Sequence, residues 1–137
     1  MSALSILEYL LPMNVTVLAF DFAGCGLSEG EYISLGPNEA DDLRLVVEYI
    51  RTLGTVSSIG IWGRSMGAVA ALYYCSKDPS IAGLVLDSPF GSLKKLVKHL
   101  VSSNTKIPKF IVRGALKMVR KSIMSRMNID IYENNPL

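Results

Sequence analysis

One serine of the chain lies in a pattern that can perform nucleophilic chemistry. Residues 63–67 read GRSMG, a G-x-S-x-G pattern between the apolar residues 59–62 and a run of small and apolar residues. A sharp strand-to-helix turn of this type lifts a serine hydroxyl above the end of a parallel sheet. The helix dipole then acts on Ser65, and the backbone N–H of Met66 points to where an acyl oxyanion forms. We therefore predict that Ser65 is a nucleophile and Met66 an oxyanion donor.

The glycines of this pattern have a steric explanation. We expect a strained backbone at Ser65, and we expect side chains at Gly63 or Gly67 to collide with the neighbouring strand and helix. The alternative is an ordinary tight turn, because glycine-flanked serines also occur by chance. The position of the pattern between a buried-strand signal and a helix favours the nucleophile.

Predicted strands and helices alternate along the first two-thirds of the chain. Apolar residues at intervals of three and four indicate helices, and short continuous apolar runs indicate strands covered on both faces. The predicted elements are a helix at residues 2–11, a strand at 15–20, a helix at 37–52, a strand at 58–62, a helix after Ser65 and a strand at 81–86. This alternation predicts right-handed βαβ units in a parallel sheet. The loops beginning at Asp21, Ser65 and Asp87 should then converge at the carboxyl ends of the strands.

Composition limits the class of protein. The chain has 137 residues, of which 50% are hydrophobic, enough for one domain with its own core. Residues 1–12 carry Glu8 without a basic start, which disfavours a signal peptide, and no run is long enough to cross a bilayer. Cys25 and Cys75 lack metal or disulfide spacing, so we expect a reducing, cytoplasmic setting.

The glycine-rich loop at residues 21–30 imitates a dinucleotide-binding pattern. The imitation fails because Glu29 stands where the third glycine should be, and no predicted helix begins before Pro37. Nucleotide binding is therefore disfavoured.

Positive charge is concentrated in the last third of the chain. Ten of the fourteen basic residues lie within residues 94–126, and no Asp or Glu occurs in residues 88–128. A helix predicted at about residues 108–127 is amphipathic and basic. It either covers the core as a cap, or also contacts anionic lipid or an acidic partner. Nucleic acid is disfavoured, because Phe110 is the only aromatic residue among these charges.

Together these residues resemble the α/β-hydrolase superfamily, and in particular eukaryotic hydrolases of the serine aminopeptidase and acylglycerol-lipase-like type. The resemblance rests on DFAGCGLSEG at residues 21–30, IWGRSMGA at 61–68 and LVLDSPF at 84–90, and it extends into residues 107–110 and 130–132. It implies an eight-stranded, mostly parallel sheet and acyl transfer from an ester, thioester or amide. This chemistry requires neither a metal nor a cofactor.

The resemblance also assigns roles. A serine attacks the carbonyl, a histidine takes its proton, a carboxylate orients the histidine, and two backbone N–H groups hold the oxyanion. Ser65 maps onto the nucleophile and Met66 onto one donor. The His-Gly strand that supplies the second donor, and the segments that supply the acid and the histidine, have no match here. We therefore expect a central fragment of a longer hydrolase, inactive or weak alone.

Asp87 and His99 are substitutes for the acid and base, since with Ser65 they follow the order serine, acid, histidine. A base must reach the serine hydroxyl, however, and His99 lies on a predicted helix instead of a late loop. The competing interpretations are a surface histidine and a loop or helix-cap carboxylate. Arg64 either lines the site or pairs with a carboxylate, and we favour the structural role.

The predicted fold class is α/β, a parallel sheet flanked by helices in a truncated α/β-hydrolase fold. Residues 1–137 form one partial domain, with a βαβ core at 1–91 and a basic, helical, cap-like segment at 92–137. The missing strand should leave either a gap or a direct pairing between the strands at 15–20 and 58–62, with an exposed apolar edge. Such an edge invites self-association.

Two functions are compatible with these residues. The first is a serine hydrolase that acts through Ser65 on a small-molecule or lipid-like acyl substrate. The alternative is a non-catalytic remnant of that fold, an interaction module whose basic helix binds an anionic membrane surface through residues 94–126. This alternative predicts peripheral membrane localisation and salt-dependent binding to anionic vesicles.

Overall fold

The structure is a computed structural model, which describes residues 3–92 and residue 95. It divides into two units, residues 1–32 and residues 33–137, and each is described by itself. Within the described residues, no helix combines the length and the apolar character that crossing a bilayer requires.

The first unit begins with helix α1, Ala3–Leu10, followed by a 3₁₀ turn at Leu11–Met13. Pro12 cannot donate the hydrogen bond that would continue the helix. Asn14 adopts a left-handed conformation with φ of 61° and donates its N–H to the Leu11 carbonyl at 3.1 Å. The predicted helix and its end at Pro12 are confirmed.

The strand predicted at residues 15–20 is wrong. This segment has no regular secondary structure, and Val15, Leu18 and Phe20 are exposed. A strand exists only through hydrogen bonds to a neighbouring strand, and the described residues contain one sheet, in which the two strands pair with each other. An apolar run rich in β-formers therefore stays irregular here.

The loop after Phe20 is held by Asp21 and by its own turns. The Asp21 carboxylate accepts the Leu27 N–H at 3.3 Å, and the Asp21 carbonyl accepts the Ser28 hydroxyl at 2.8 Å. A Cβ on Gly26, whose φ is +55°, would lie 2.0 Å from the Asp21 carboxylate. Asp21 thus has a structural role in this loop.

The second unit begins with a turn that caps helix α2, Pro37–Thr52. Glu39, 1% exposed, accepts the Ser34 N–H at 2.7 Å, the Ser34 hydroxyl at 2.6 Å and the Gly36 N–H at 2.6 Å. The Ser34 Oγ in turn accepts the Asn38 N–H at 2.8 Å. Two hydrogen-bond donors near the helix start, at Gly36 and Asn38, are thereby satisfied by side chains.

Helix α2 has the bounds that its sequence predicted. Pro37 suits the first helical position because an N–H at that position would have no acceptor within the helix, so proline loses no hydrogen bond there. The chain turns away at Gly54, which has φ of +66°.

Strand β1, helix α3 and strand β2 form a βαβ unit. They span Gly60–Arg64, Met66–Cys75 and Gly83–Asp87. The strands pair in parallel, with Gly60 opposite Gly83 and Arg64 opposite Asp87. The sequence predicted each strand to begin two residues early, at 58 and at 81.

The core of the second unit lies where α2 meets α3. Ala40, Leu43 and Val47 of α2 are buried, and α3 contributes a buried run at residues 68–71. Three of these four α3 residues are alanines, and small side chains let helices lie close together. The buried residues of α2 recur at intervals of three and four, as expected for one face of a helix.

The other face of the sheet is less covered. Trp62 and Val85 are register partners on adjacent strands, so their side chains lie on the same face. They are 45% and 48% exposed, respectively.

The α/β fold class with a parallel sheet is confirmed, and the described residues show two of the strands implied by the resemblance. The single-domain organisation and the open apolar edge stay predictions. The basic segment at 92–137 also stays a prediction, since it lies almost entirely outside the described residues. Cys25 and Cys75 are both free thiols. Burial raises the pKa of the Cys75 thiol, and the charge of Asp78 adds to this effect.

Candidate functional site

Ser65 lies between β1 and α3 and has an unusual backbone conformation. Its φ is 50° and its ψ is −113°, a combination that L-residues rarely adopt and that stores strain at functional sites. The next residue already begins the helix, and the Ser65 carbonyl accepts the Val69 N–H at 3.1 Å. The side chain is exposed. A strained, exposed serine at a strand-to-helix turn is the geometry that the G-x-S-x-G pattern predicted.

The two glycines of the pattern differ. A Cβ on Gly63 would lie 2.3 Å from the Gly67 carbonyl oxygen and 2.6 Å from the Ala68 nitrogen, which are backbone atoms. A Cβ on Gly67 would meet nothing within 4 Å among the described residues. The expected collision is therefore correct for Gly63 and wrong for Gly67. The first turn of α3 passes over Gly63, whereas position 67 itself points into open space.

Met66 is the first residue of α3. The first N–H groups of a helix have no acceptor within the helix, and the positive end of its dipole lies there. The Met66 N–H thus lies next to the Ser65 side chain, where an oxyanion donor is needed. Its assignment as a donor stays a prediction.

Asp87 lies at the end of β2, beside the turn that holds Ser65. Its carbonyl accepts the Ser65 N–H at 2.9 Å. Its carboxylate lies 3.3 Å from the Arg64 Nε and accepts the Ser88 hydroxyl at 2.7 Å. Ser65, Met66 and Asp87 are thus brought together, and Arg64 pairs with a carboxylate, one of the roles that the sequence left open.

The candidate base cannot be placed in this site. His99 lies outside the described residues, as do residues 96–126 of the basic segment. Their proposed roles as base and as membrane-binding surface therefore stay predictions.

A second polar cluster, which the sequence did not reveal, joins the ends of α2 and α3. The Arg51 guanidinium lies 2.9 Å from the Asp78 carboxylate, which also accepts hydrogen bonds from the hydroxyls of Tyr74 and Ser80. The Ser80 and Tyr74 hydrogen bonds lower the pKa of Asp78. Burial and the Asp78 hydrogen bond raise the pKa of Tyr74 to about 12. Asp78 lies beyond the end of α3, so no helical spacing in the sequence indicates this cluster.

This cluster lines a cleft of about 390 Å³ between α2 and α3. Four of its charged lining residues form two ion pairs, Arg44 with Glu48 at 2.9 Å and Arg51 with Asp78 at 2.9 Å. None of the residues that line it belongs to the Ser65 turn. The cleft is therefore distinct from the candidate site, which lies at the strand ends.

Replacing Asp78 by asparagine should reduce the loss of unfolding free energy that occurs as the pH falls. A carboxylate with a lowered folded-state pKa stabilises the fold above its unfolded pKa of about 3.9, and this contribution is lost as the pH falls below that value. Urea unfolding between about pH 2 and pH 7 should show a smaller decrease for Asp78→Asn than for the wild type. Asp41→Asn, which makes the same substitution at an exposed aspartate of α2, is the control. Parallel profiles for the wild type and Asp78→Asn would contradict this interpretation.

The described residues contain no group of three His, Cys, Asp or Glu side chains that could hold a metal ion.

Comparisons with known proteins agree with this geometry. The family model described as "Serine aminopeptidase, S33" matches residues 4–137. A Bacillus subtilis (strain 168) protein named "Uncharacterized protein YqkD" is 32% identical over 114 residues, which cover 79% of this chain and 37% of that relative. The chain therefore aligns with little more than a third of the relative's length. No solved structure matches the chain significantly.

Proposed function

Since this chain belongs to the serine aminopeptidase, S33, family of the α/β-hydrolase superfamily, we propose that it performs acyl transfer through Ser65. The substrate class is an ester, thioester or amide of a small-molecule or lipid-like acyl group. The observation that carries the proposal is the conformation of Ser65, with φ of 50° between a parallel strand and a helix. Strain of this type persists only where the surrounding structure enforces it, and it is common at nucleophiles.

The chemistry has two steps. The Ser65 Oγ attacks the substrate carbonyl while a base takes the hydroxyl proton, and a tetrahedral oxyanion forms. The oxyanion collapses, the alcohol, thiol or amine leaves with that proton, and an acyl-serine remains for water to hydrolyse. The Met66 N–H and the α3 dipole would stabilise the oxyanion, an effect worth about 3–4 kcal/mol per donor in serine hydrolases.

A general base must lie within hydrogen-bond reach of the Ser65 hydroxyl. His99 is the only histidine in the sequence. Removing the nucleophile or the base should abolish most of the rate, while oxyanion and binding effects survive.

The test is covalent labelling by a fluorophosphonate, which reacts with activated serines. We expect the protein to be labelled, the label to map to Ser65 by peptide mass spectrometry, and Ser65→Ala to abolish it. Ser57→Ala, at an exposed serine just before β1, is the matched control and should label as the wild type does. Absence of labelling in the wild type, or labelling that survives Ser65→Ala, would refute the proposal.

A further inference from the structure

Asp87, at the carboxyl end of β2, makes two contacts with the carboxyl end of β1. The main chain of Asp87 accepts the Ser65 N–H at 2.9 Å, and the Asp87 Oδ2 lies 3.3 Å from the Nε of Arg64, the residue before the serine. The other carboxylate oxygen, Oδ1, accepts the Ser88 hydroxyl at 2.7 Å. Arg64 and Asp87 are also register partners in the sheet. The backbone on one side of Ser65 is therefore tied to β2 by both a main-chain and a side-chain contact.

The residue that follows each of the two strands has a strained backbone conformation. Ser65 has φ of 50° and Ser88 has φ of 56°, in the left-handed region that side-chain-bearing residues avoid. Such conformations relax unless neighbouring contacts hold them. Asp87 lies directly before one strained serine and is bonded to the backbone of the other.

We propose that Arg64 and Asp87 form a positioning pair that holds the strained backbone of Ser65, and that Asp87 is not the acid of a catalytic triad. The inference rests on the proposed nucleophilic role of Ser65 and adds a specific function for two neighbouring side chains. Neither residue touches the reacting atoms in this assignment. They act through the Ser65 main chain.

The charge balance favours positioning over an acid role. A triad acid stabilises the imidazolium that forms on the base, and it does so with an uncompensated negative charge. The Asp87 charge is compensated by the adjacent Arg64 guanidinium, and each of its oxygens already has a partner. Half-exposed ion pairs contribute little to global stability, so the pair should matter locally, at the turn it joins.

The test compares Arg64→Gln, Asp87→Asn and the double variant in two independent measurements. The first is hydrogen exchange of the Ser65 amide, followed by NMR, which requires no enzymatic activity. Each single variant should speed exchange of this amide by about three- to tenfold, and the double variant should be no faster than the faster single variant. Arg44→Gln breaks another half-exposed ion pair, on α2, and should leave Ser65 exchange unchanged.

The second measurement is the rate of fluorophosphonate labelling of Ser65 across pH. A positioning pair predicts that both single variants lower the maximal labelling rate by a similar factor, about tenfold or less, with the pH profile unchanged. A triad acid instead predicts a loss of about 10⁴-fold for Asp87→Asn, with Arg64→Gln near wild type. That result, or additive effects of the two variants, or unchanged Ser65 exchange, would overturn the inference. If the wild type is not labelled but the coupled change in exchange is present, the proposed function fails while the positioning role stands.

Discussion

Replacing Gly63 by alanine is expected to destabilise the second unit by about 3 kcal/mol or more. The added Cβ would lie 2.3 Å from the Gly67 carbonyl oxygen and 2.5 Å from its carbonyl carbon. Real Cβ atoms do not approach backbone atoms this closely, and backbone atoms cannot rotate away as a flexible side chain can. The first turn of α3 would have to move off β1, and the Ser65 turn would move with it. Urea unfolding followed by circular dichroism measures the loss as a lower midpoint.

Gly67→Ala is the matched control for this prediction. It adds the same methyl group three residues from the nearest residue of β1, where nothing lies within 4 Å among the described residues. Alanine is favoured over glycine in a helix by about 1 kcal/mol, so this variant should be neutral or more stable than the wild type. Equal midpoints for Gly63→Ala and Gly67→Ala would show that α3 does not pass over Gly63 as closely as the geometry requires.

Replacing Glu39 by alanine should cost about 2–4 kcal/mol of the free energy of unfolding. The carboxylate is 1% exposed and accepts three hydrogen bonds, two from Ser34 and one from Gly36. Removing it leaves these donors buried without their acceptor, and unpaired buried donors lose the hydration they had in the unfolded chain. Thermal and urea unfolding should both record the loss.

Two further substitutions separate the causes. Glu39→Gln keeps the shape and one acceptor oxygen, but it places an NH₂ group opposite a donor, so we expect about half the loss seen with alanine. Glu48→Ala removes an exposed glutamate of the same helix whose pair with Arg44 is on the surface, and it should change stability by less than about 0.5 kcal/mol. A Glu39→Ala variant as stable as Glu48→Ala would contradict the capping role.

The elements that local sequence determines were predicted well. Helix α2 has the predicted bounds because Pro37, the apolar spacing and Gly54 all act within one turn of the ends they define. The Ser65 turn was also predictable, since its steric requirement involves Gly63 and residues only a few positions away. Local chemistry is visible in a sequence because it needs no partner from elsewhere in the chain.

The features that depend on distant partners were not predictable. Residues 15–20 have the composition of a strand, but pairing decides whether a strand forms, and composition cannot supply the partner. The Arg51–Asp78 contact joins residues 27 positions apart, and nothing in either segment indicates the other. The same reasoning applies to the candidate site, where Arg64 and Asp87 meet only because β1 and β2 are neighbours in register.

The exposure of Trp62 makes the sheet observable in solution. Trp62 is the only tryptophan of the sequence, it is 45% exposed, and it lies on β1 three residues before the serine. Excitation at the red edge of indole absorption therefore selects a single fluorophore among the aromatic residues. Its emission wavelength and its access to a dissolved quencher report on the polarity at one face of the sheet. A ligand, a membrane or another protein that covered this face would change the emission of Trp62, so binding could be measured without a label.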